Sequence, residues 1–330
     1  MEHSPIPLTV IAGPTASGKT GLAVALAHRL NGEVVSADSM QVYKGIPIGT
    51  AQPGEWEKEG VPHHLIGFLP LGESYSVARW LQQARDCIAD IHSRGRHSIV
   101  CGGTGLYISA LLDNLTLTGE GGDPAVRARL HDRADREGTQ ALLNELAQTD
   151  PETAARLHPA DRKRIVRALE LFETTGVTMS EQIARSKAEP SPYDAHVLLL
   201  DCRERQALYD RINRRVDHML EQGLADEARQ VWDWQKGGSL AASGATAVQA
   251  IGHKELVPWL TGELTLEQAS DNLKQATRRY AKRQLSWFRR MTGAMRLYID
   301  EYATAKELTA AAWAALNRED GTWNPLSDGC

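Results

Sequence analysis

A phosphate-binding loop is the first feature of the chain that could carry out chemistry. Residues 13–20 match the pattern G-x-x-x-x-G-K-[ST] at every fixed position, and they follow an apolar segment at residues 8–12. Glycines let the backbone turn so tightly that successive N–H groups face an anion, and a loop of this kind between a strand and a helix binds phosphate. We therefore expect a di- or triphosphate to contact these residues: Gly13, Pro14, Thr15, Ala16, Ser17, Gly18, Lys19 and Thr20.

The end of this loop supplies the charges that a phosphate needs. Lys19 contributes a mobile cation, Thr20 contributes a hydroxyl suited to Mg²⁺, and the helix that begins near Lys19 directs the positive end of its dipole at the anion. The pattern identifies neither the phosphate compound nor whether phosphate is transferred.

A carboxylate follows the next predicted strand. Residues 33–38 form a short apolar run that ends at Asp38. A carboxylate at the end of a strand beside a phosphate loop can hold Mg²⁺ through water or act as a general base. Asp and Ser also favour the N-cap of a helix, so a purely structural role for Asp38 is the alternative.

A third strand end carries a glycine turn. The buried run 98–101 is followed by residues 102–105, which read Gly-Gly-Thr-Gly. The glycines allow a ligand to approach the backbone, and Thr104 can donate a hydroxyl hydrogen to a phosphate oxygen. Such turns are common, so this signal is weak by itself.

Two basic segments suggest a polyanionic partner. Residues 161–167 contain four cations, and residues 274–290 contain seven without an intervening acid, interleaved with Tyr280, Trp287 and Phe288. Cations can neutralise phosphates, and aromatic rings can stack on unpaired bases. The alternative is a solvated helix face whose aromatic residues point into the core.

An arginine pair lies on a predicted helix after residue 203. Arg211 and Arg215 are one turn apart and could reach a diphosphate together. Ion pairs with Asp210 or Asp217 are the alternative. The adjacent His63 and His64 would point to opposite sides of an extended segment, which favours a structural role over a metal site.

The composition is that of an ordinary globular protein, and the net charge does not by itself indicate a nucleic-acid partner. The chain has 330 residues, 42% hydrophobic and 24% charged, with a net charge of −5. We expect no signal peptide and no membrane-spanning segment. The four cysteines are widely separated, which argues against a zinc module or a disulfide framework and favours a reducing cytoplasm.

The order of the elements predicts an α/β fold. Strands and helices alternate over the first hundred residues, which indicates a P-loop NTPase-like core with a parallel sheet flanked by helices. We expect this core to comprise residues 1–115 and 193–300, with a helical insertion domain at 116–192 and a C-terminal helix and tail at 301–330. Ligands of such sheets bind at the carboxyl ends of the strands, where the three segments described above converge.

The motifs together resemble the tRNA dimethylallyltransferases, also called tRNA isopentenyltransferases. The matching runs follow the order of that family over residues 8–290: 13–20, 36–43 (SADSMQVY), 45–51, 62–65, 102–107, 211–217, 250–255 and 281–289 (AKRQLSWFR). The second and the last of these runs are the most specific. His253 departs from the family, which more often has Tyr there, and we expect a mild effect.

This resemblance implies a reaction. A dimethylallyl group would pass from dimethylallyl diphosphate to N6 of the adenine just 3′ of the anticodon, which is tRNA position 37. The P-loop would then hold diphosphate with Mg²⁺, and the catalytic residues would be Asp38, Thr104 and Arg215, with Asp38 as the base. The partner would be the anticodon stem-loop of tRNA, the helical insertion would contact it, and the protein would be a monomer. The tRNA-binding residues implied by the resemblance are Asp38, Ser39, Met40, Gln41, Thr104, Arg127, Lys163, Arg164, Arg167, Gln249, Gly252, His253, Lys254, Lys282, Arg283, Gln284, Trp287 and Arg289.

Three other functions share parts of this pattern. An adenylate isopentenyltransferase would modify free AMP, ADP or ATP, and would not need the insertion or the basic segments. A small-molecule kinase would share the P-loop and the strand-end carboxylate. A nucleotide-gated RNA-binding protein would share the basic segments but carry out no reaction.

Overall fold

A parallel sheet forms the centre of the chain. The structure is a computed structural model that describes residues 4–116, 122–237 and 251–317. Within these residues the sheet order is β3-β2-β4-β1-β5-β6, and every neighbouring pair is parallel. The strands are β1 Ile6–Ala12, β2 Gly32–Ser36, β3 His63–His64, β4 His97–Gly102, β5 Tyr193–Asp201 and β6 Met295–Tyr298.

Helices connect these strands, and the expected α/β fold is confirmed. The first four are α1 Lys19–Leu30, α2 Glu55–Lys58, α3 Val77–Ser93 and α4 Gly105–Leu112. The next five are α5 Pro124–Glu137, α6 Thr139–Thr149, α7 Pro151–Ala154, α8 Arg162–Thr175 and α9 Met179–Ala188. The last five are α10 Arg205–Glu221, α11 Leu224–Lys236, α12 Val257–Leu260, α13 Leu266–Phe288 and α14 Ala305–Leu316, and a short 3₁₀ helix spans Ile299–Glu301.

The central strands are apolar because both of their faces are covered. Val10 and Ile11 of β1 and Leu199 of β5 are completely buried. Strands buried on both faces read as continuous apolar runs, which is why β1, β4 and β5 were evident from the sequence. β6 was not expected, since four residues in an edge position leave little pattern.

The chain divides into two compact units. One contains the described residues within Met1–Tyr75, Trp80–Ser109 and Tyr193–Cys330, and it carries the sheet. The other contains those within Ser76–Arg79 and Ala110–Pro192, and its own core includes Leu130, Leu142 and Leu169. None of the described helices is both long and apolar enough to cross a membrane.

The sheet order places three loops side by side. β1 lies next to β4, which lies next to β2, with Ala12 opposite Gly102 and Ser36 opposite Cys101. Because the strands are parallel, the segments that leave their carboxyl ends share one edge of the sheet. The predicted convergence of the P-loop, the Asp38 segment and the glycine turn is therefore confirmed.

Candidate active site

The P-loop connects β1 to α1 through a tight turn. Gly18 is the N-cap of α1 and has φ 88°, which is left-handed backbone that favours glycine. A side chain at Gly13 would place its Cβ 2.7 Å from the carbonyl oxygen of Leu200 in β5. The glycines at both ends of the loop are thus required by the backbone path.

Lys19 lies at the first position of α1, partly buried. Its Nζ donates to the carbonyl oxygen of Pro14 at 2.6 Å. Burial lowers the pKa of Lys19 to about 8; Arg215 also lowers it, while Asp38 acts in the opposite direction. Any further negative charge that enters the loop would therefore stabilise the protonated form of Lys19.

Two hydroxyls accompany this cation. Ser17 is 1% exposed, and its Oγ has no hydrogen-bond partner among the described residues. Thr20 lies in the first turn of α1 and is partly buried. An unsatisfied buried hydroxyl is costly unless a ligand or water completes it, so the donor set of this loop suits an oxyanion.

The Asp38 segment is joined to the glycine turn by hydrogen bonds. Ser39 N donates to Thr104 Oγ1 at 3.0 Å, and Thr104 N donates to the carbonyl oxygen of Ala37 at 3.1 Å. A Cβ at Gly102 would overlap the backbone of Ala37. This close approach places Asp38 and Thr104 on neighbouring loops.

Only one oxygen of the Asp38 carboxylate is hydrogen-bonded within the described residues. Its Oδ1 accepts from Met40 N at 2.9 Å, and no described residue bonds its other oxygen. The electrostatic influence of Asp38 reaches Lys19, Arg215 and Tyr280, and together with burial it raises the pKa of Tyr280. Asp38 therefore lies among the cationic groups of the site with one oxygen available.

Gln41 is held by its own neighbourhood. Its Oε1 accepts from Ser36 Oγ at 3.0 Å, and its Nε2 donates to the carbonyl oxygen of Ala51 at 2.9 Å. Ser39 and Met40 are partly buried. The tRNA contacts expected of these residues stay predictions.

The arginine pair of α10 faces the P-loop. Arg211 Nε donates to the carbonyl oxygen of Ala16 at 2.8 Å. Arg215 is partly buried, and burial lowers its pKa, against the influence of Glu57 and Asp38. Within the described chain neither arginine forms an ion pair with Asp210 or Asp217.

The acids of that alternative have other partners. Asp210 accepts from Gln206 Nε2 at 2.8 Å, and Asp217 pairs with Lys274 at 2.6 Å. The geometry thus favours an orientation of the arginine pair toward the P-loop over ion pairs with Asp210 or Asp217. Contact of Arg215 with diphosphate stays a prediction.

Helix α13 contacts the P-loop and the glycine turn. Gln284 bonds both Thr15 N and the carbonyl oxygen of Gly103, each at 2.9 Å. Trp287 Nε1 donates to Ser109 Oγ at 3.2 Å. Arg289 pairs with the buried Asp201 at 3.1 Å. These three side chains, expected to contact tRNA, are used within the protein.

The basic segment of α13 is partly neutralised by α10. Lys274 pairs with Asp217, and Arg278 NH1 donates to Asn213 Oδ1 at 2.7 Å. Lys282 and Arg283 are exposed, and Arg283 lies 5.6 Å from the ring centre of Tyr280. The cations that remain turned to solvent are the ones a polyanion could reach.

The side chain of His253 is enclosed within the protein. It is 3% exposed, and its Nε2 bonds Glu227 Oε1 at 2.8 Å, while its contact with tRNA stays a prediction. Gly252 has φ 120°, and Lys254 is exposed beside Glu255. Gln249 lies outside the described residues.

The helical unit contains a buried carboxylate with two cations. Glu170 is completely buried and pairs with Arg127 at 2.9 Å and with Arg167 at 3.0 Å. Lys163 and Arg164 are exposed. Two of the four cations expected to bind tRNA here therefore also neutralise an internal charge.

Several residues of the site were not singled out from the sequence. Cys101 borders Lys19, and burial raises the pKa of its thiol to about 11. Trp80 is completely buried, donates to the carbonyl oxygen of Ser36 at 2.9 Å and stacks on Tyr107. No local pattern in the sequence indicated that Cys101 or Trp80 would contact these loops.

No group of three or more His, Cys, Asp or Glu side chains in the described part of the chain could hold a metal ion. His64 Nε2 bonds Glu33 Oε2 at 2.7 Å, so this histidine has a partner within the protein.

The chain is similar to proteins of known activity over most of its length. The family model described as IPP transferase matches residues 41–291, and one described as isopentenyl transferase matches residues 6–66. The tRNA dimethylallyltransferase of Halalkalibacterium halodurans is 48% identical over 86% of this chain and 88% of its own length. That of Bacillus subtilis is 45% identical over 88% of this chain and 90% of its own length.

Solved structures give the same result. The tRNA isopentenylpyrophosphate transferase of Bacillus halodurans aligns with a TM-score of 0.67 at 42% identity, covering 94% of this chain and 96% of that one. A eukaryotic dimethylallyltransferase acting on tRNA aligns with a TM-score of 0.82 at 32% identity, covering 94% of this chain and 78% of that one. Sequence and structure therefore agree that this chain belongs to the IPP transferase family, whose enzymes are prenyltransferases that modify tRNA.

Proposed function

We propose that this chain transfers a dimethylallyl group from dimethylallyl diphosphate to N6 of the adenine just 3′ of the anticodon of tRNA, at position 37. Membership of the family supports the reaction class. The observation that supports the assignment of roles is that the loops carrying Asp38, Thr104 and Lys19 follow neighbouring strands at one edge of the sheet, where Asp38 influences the pKa of Lys19.

The P-loop would bind the diphosphate. Its backbone N–H groups, Lys19 and the N-terminus of α1 stabilise the negative charge that grows on the leaving group as the carbon–oxygen bond breaks. Thr104 and Arg215 would contact the same anion from the neighbouring loop and from α10. The lowered pKa of Lys19 supports this, because a bound anion would return the lysine to its charged form.

Asp38 would act as the general base. The exocyclic amine of adenine attacks the allylic carbon, the bond to diphosphate breaks, and the N6 proton passes to the carboxylate. One carboxylate oxygen is held by Met40 N, which leaves the other for the amine. Positioning of this oxygen and of the allylic carbon matters because an amine of this kind is a poor nucleophile.

Mg²⁺ fits the donor set of the P-loop. The Thr20 hydroxyl and the diphosphate oxygens are hard oxygen ligands of the kind that Mg²⁺ prefers. When bound, the ion would neutralise part of the charge on the leaving diphosphate.

The polynucleotide partner would be the anticodon stem-loop. The adenine must leave the stacked loop to reach a crevice of this type, and base flipping is the general solution. Exposed cations support the proposal: Lys282 and Arg283 on α13, and Lys163 and Arg164 on α8. The helical unit would contact the stem-loop, the enzyme would be a monomer, and its tRNA substrate favours a cytoplasmic location.

The test compares acceptors. The protein is incubated with Mg²⁺, dimethylallyl diphosphate and either an anticodon stem-loop with three adenines after the anticodon or AMP, and the nucleosides are analysed by mass spectrometry. Isopentenyladenosine in the stem-loop alone supports the proposal. Product from AMP alone would identify an adenylate isopentenyltransferase. Absence of product from both acceptors would contradict the proposal and favour a small-molecule kinase.

A further inference from the structure

Gln284 joins two loops of the active site through one buried side chain. It belongs to α13 and is 6% exposed. Its Oε1 accepts from Thr15 N in the P-loop, and its Nε2 donates to the carbonyl oxygen of Gly103 in the glycine turn, both at 2.9 Å. Both ends of the amide are therefore used inside the protein.

The glycine turn is shaped to receive this side chain. A Cβ at Gly103 would overlap Gln284 Nε2, and a Cβ at Gly105 would overlap the ring of Trp287. These two glycines thus permit α13 to lie directly on the turn. An approach this close fixes the distance between the helix and the backbone, since a shift of either side would create a clash or a void.

The two bonded groups belong to two loops of the proposed diphosphate site. Thr15 is part of the loop that contains Lys19, and Gly103 precedes Thr104. Thr104 in turn accepts from Ser39 N, beside Asp38. A single amide therefore connects the loop that binds the leaving group to the loops that carry Thr104 and the base.

We propose that Gln284 is a positioning residue that holds the P-loop and the glycine turn at the separation needed for diphosphate, rather than a ligand of tRNA. The proposal rests on the proposed function, because it concerns the same diphosphate site. It assigns a role to an amide that the sequence grouped with the tRNA contacts of α13.

The first test replaces Gln284 by methionine, which has a similar length but cannot pair with Thr15 N or the Gly103 carbonyl. We expect the affinity for inorganic diphosphate, measured by calorimetry with Mg²⁺, to fall about 10- to 100-fold, because two buried polar groups lose their partners. The affinity for the stem-loop should stay the same. The matched control is Gln275→Met, at an exposed position of the same helix.

The second test replaces Gln284 by glutamate. An ionised carboxylate can accept from Thr15 N but repels the Gly103 carbonyl, whereas a protonated carboxyl group can restore both bonds. Because burial favours the protonated form, kcat/KM for dimethylallyl diphosphate relative to the wild-type enzyme should recover as the pH falls. A role limited to packing would not produce such a pH profile.

The outcomes are separable. Unchanged diphosphate affinity in Gln284→Met, with or without weaker stem-loop binding, would overturn the proposal. If both affinities and the melting temperature fall, the pH recovery of Gln284→Glu decides in its favour and a flat ratio decides against it. Failure of the wild-type enzyme to modify the stem-loop would refute the proposed function, but it would leave the diphosphate measurement valid.

Discussion

Replacing Asp38 by asparagine should remove the base while leaving the loop intact. The amide oxygen can still accept from Met40 N, the bond that Asp38 Oδ1 makes at 2.9 Å. Stability should therefore change by less than about 1 kcal/mol, the typical net value of one hydrogen bond. A positioned general base typically contributes a factor of about 10² to 10⁴, so kcat should fall by that amount.

The binding of diphosphate should respond in the opposite direction. Asp38 lies close enough to Lys19 and Arg215 to influence the pKa of both. Removal of its negative charge leaves a more positive site, so diphosphate should bind as tightly as before or more tightly.

The assay is single-turnover formation of isopentenyladenosine, with diphosphate affinity measured by calorimetry in parallel. Asp271→Asn, at an exposed position of α13, serves as the control. Near-normal kcat in Asp38→Asn would refute the role of Asp38 as base. Loss of diphosphate binding together with kcat would instead make Asp38 a structural residue or a ligand of the metal.

Further predictions concern charge and packing. Because Lys19 has a pKa of about 8, it is cationic below that pH and neutral above it, so diphosphate affinity should weaken as the pH rises from 7 to 9; an identical profile for Lys19→Arg would contradict this. Changing Lys282 and Arg283 to alanine should reduce the slope of log affinity for tRNA against log salt by about one for each phosphate that the two side chains neutralise. An unchanged slope, equal to that of the control Lys306→Ala, would place the two cations away from tRNA. Trp80→Phe should lower the free energy of unfolding by about 1–3 kcal/mol, because a buried carbonyl is left without its hydrogen-bond donor; unfolding in urea measures this, and an unchanged midpoint would contradict it.

The parts of the site that follow from local pattern could be predicted from the sequence. An apolar strand, a glycine-rich turn and a helix encode the P-loop within about twenty residues. Asp38 and Thr104 were also placed correctly, because parallel strands bring their carboxyl ends to one edge. These signals depend on neighbours in sequence.

The partners of the basic side chains could not be predicted in the same way. Arg167 pairs with Glu170 only because the helix folds that carboxylate into the core, and Arg127 reaches it from 43 positions away. The basic segment at residues 274–290 contains no acid, but Asp217 of α10 neutralises Lys274. The charge pattern of a sequence segment shows which cations one helix carries. It does not show which acids of other helices will pair with them.

The role of Gln284 and the burial of His253 show the same limit. Thr15 and Gln284 are separated by 269 positions, and no local pattern indicates that they meet. His253 is enclosed beside Glu227 of α11, whose carboxylate also accepts from the backbone N–H groups of Ile48 and Gly49. Motif membership grouped both residues with surface contacts, but the packing of distant elements buried them.

The most direct test of the central claim is site-resolved mass spectrometry of a complete tRNA with adenine 3′ of the anticodon, after incubation with the protein, Mg²⁺ and dimethylallyl diphosphate. The account predicts one dimethylallyl group on that adenine, with one diphosphate released for each group transferred. Modification of another nucleotide, or diphosphate release without modified tRNA, would contradict it.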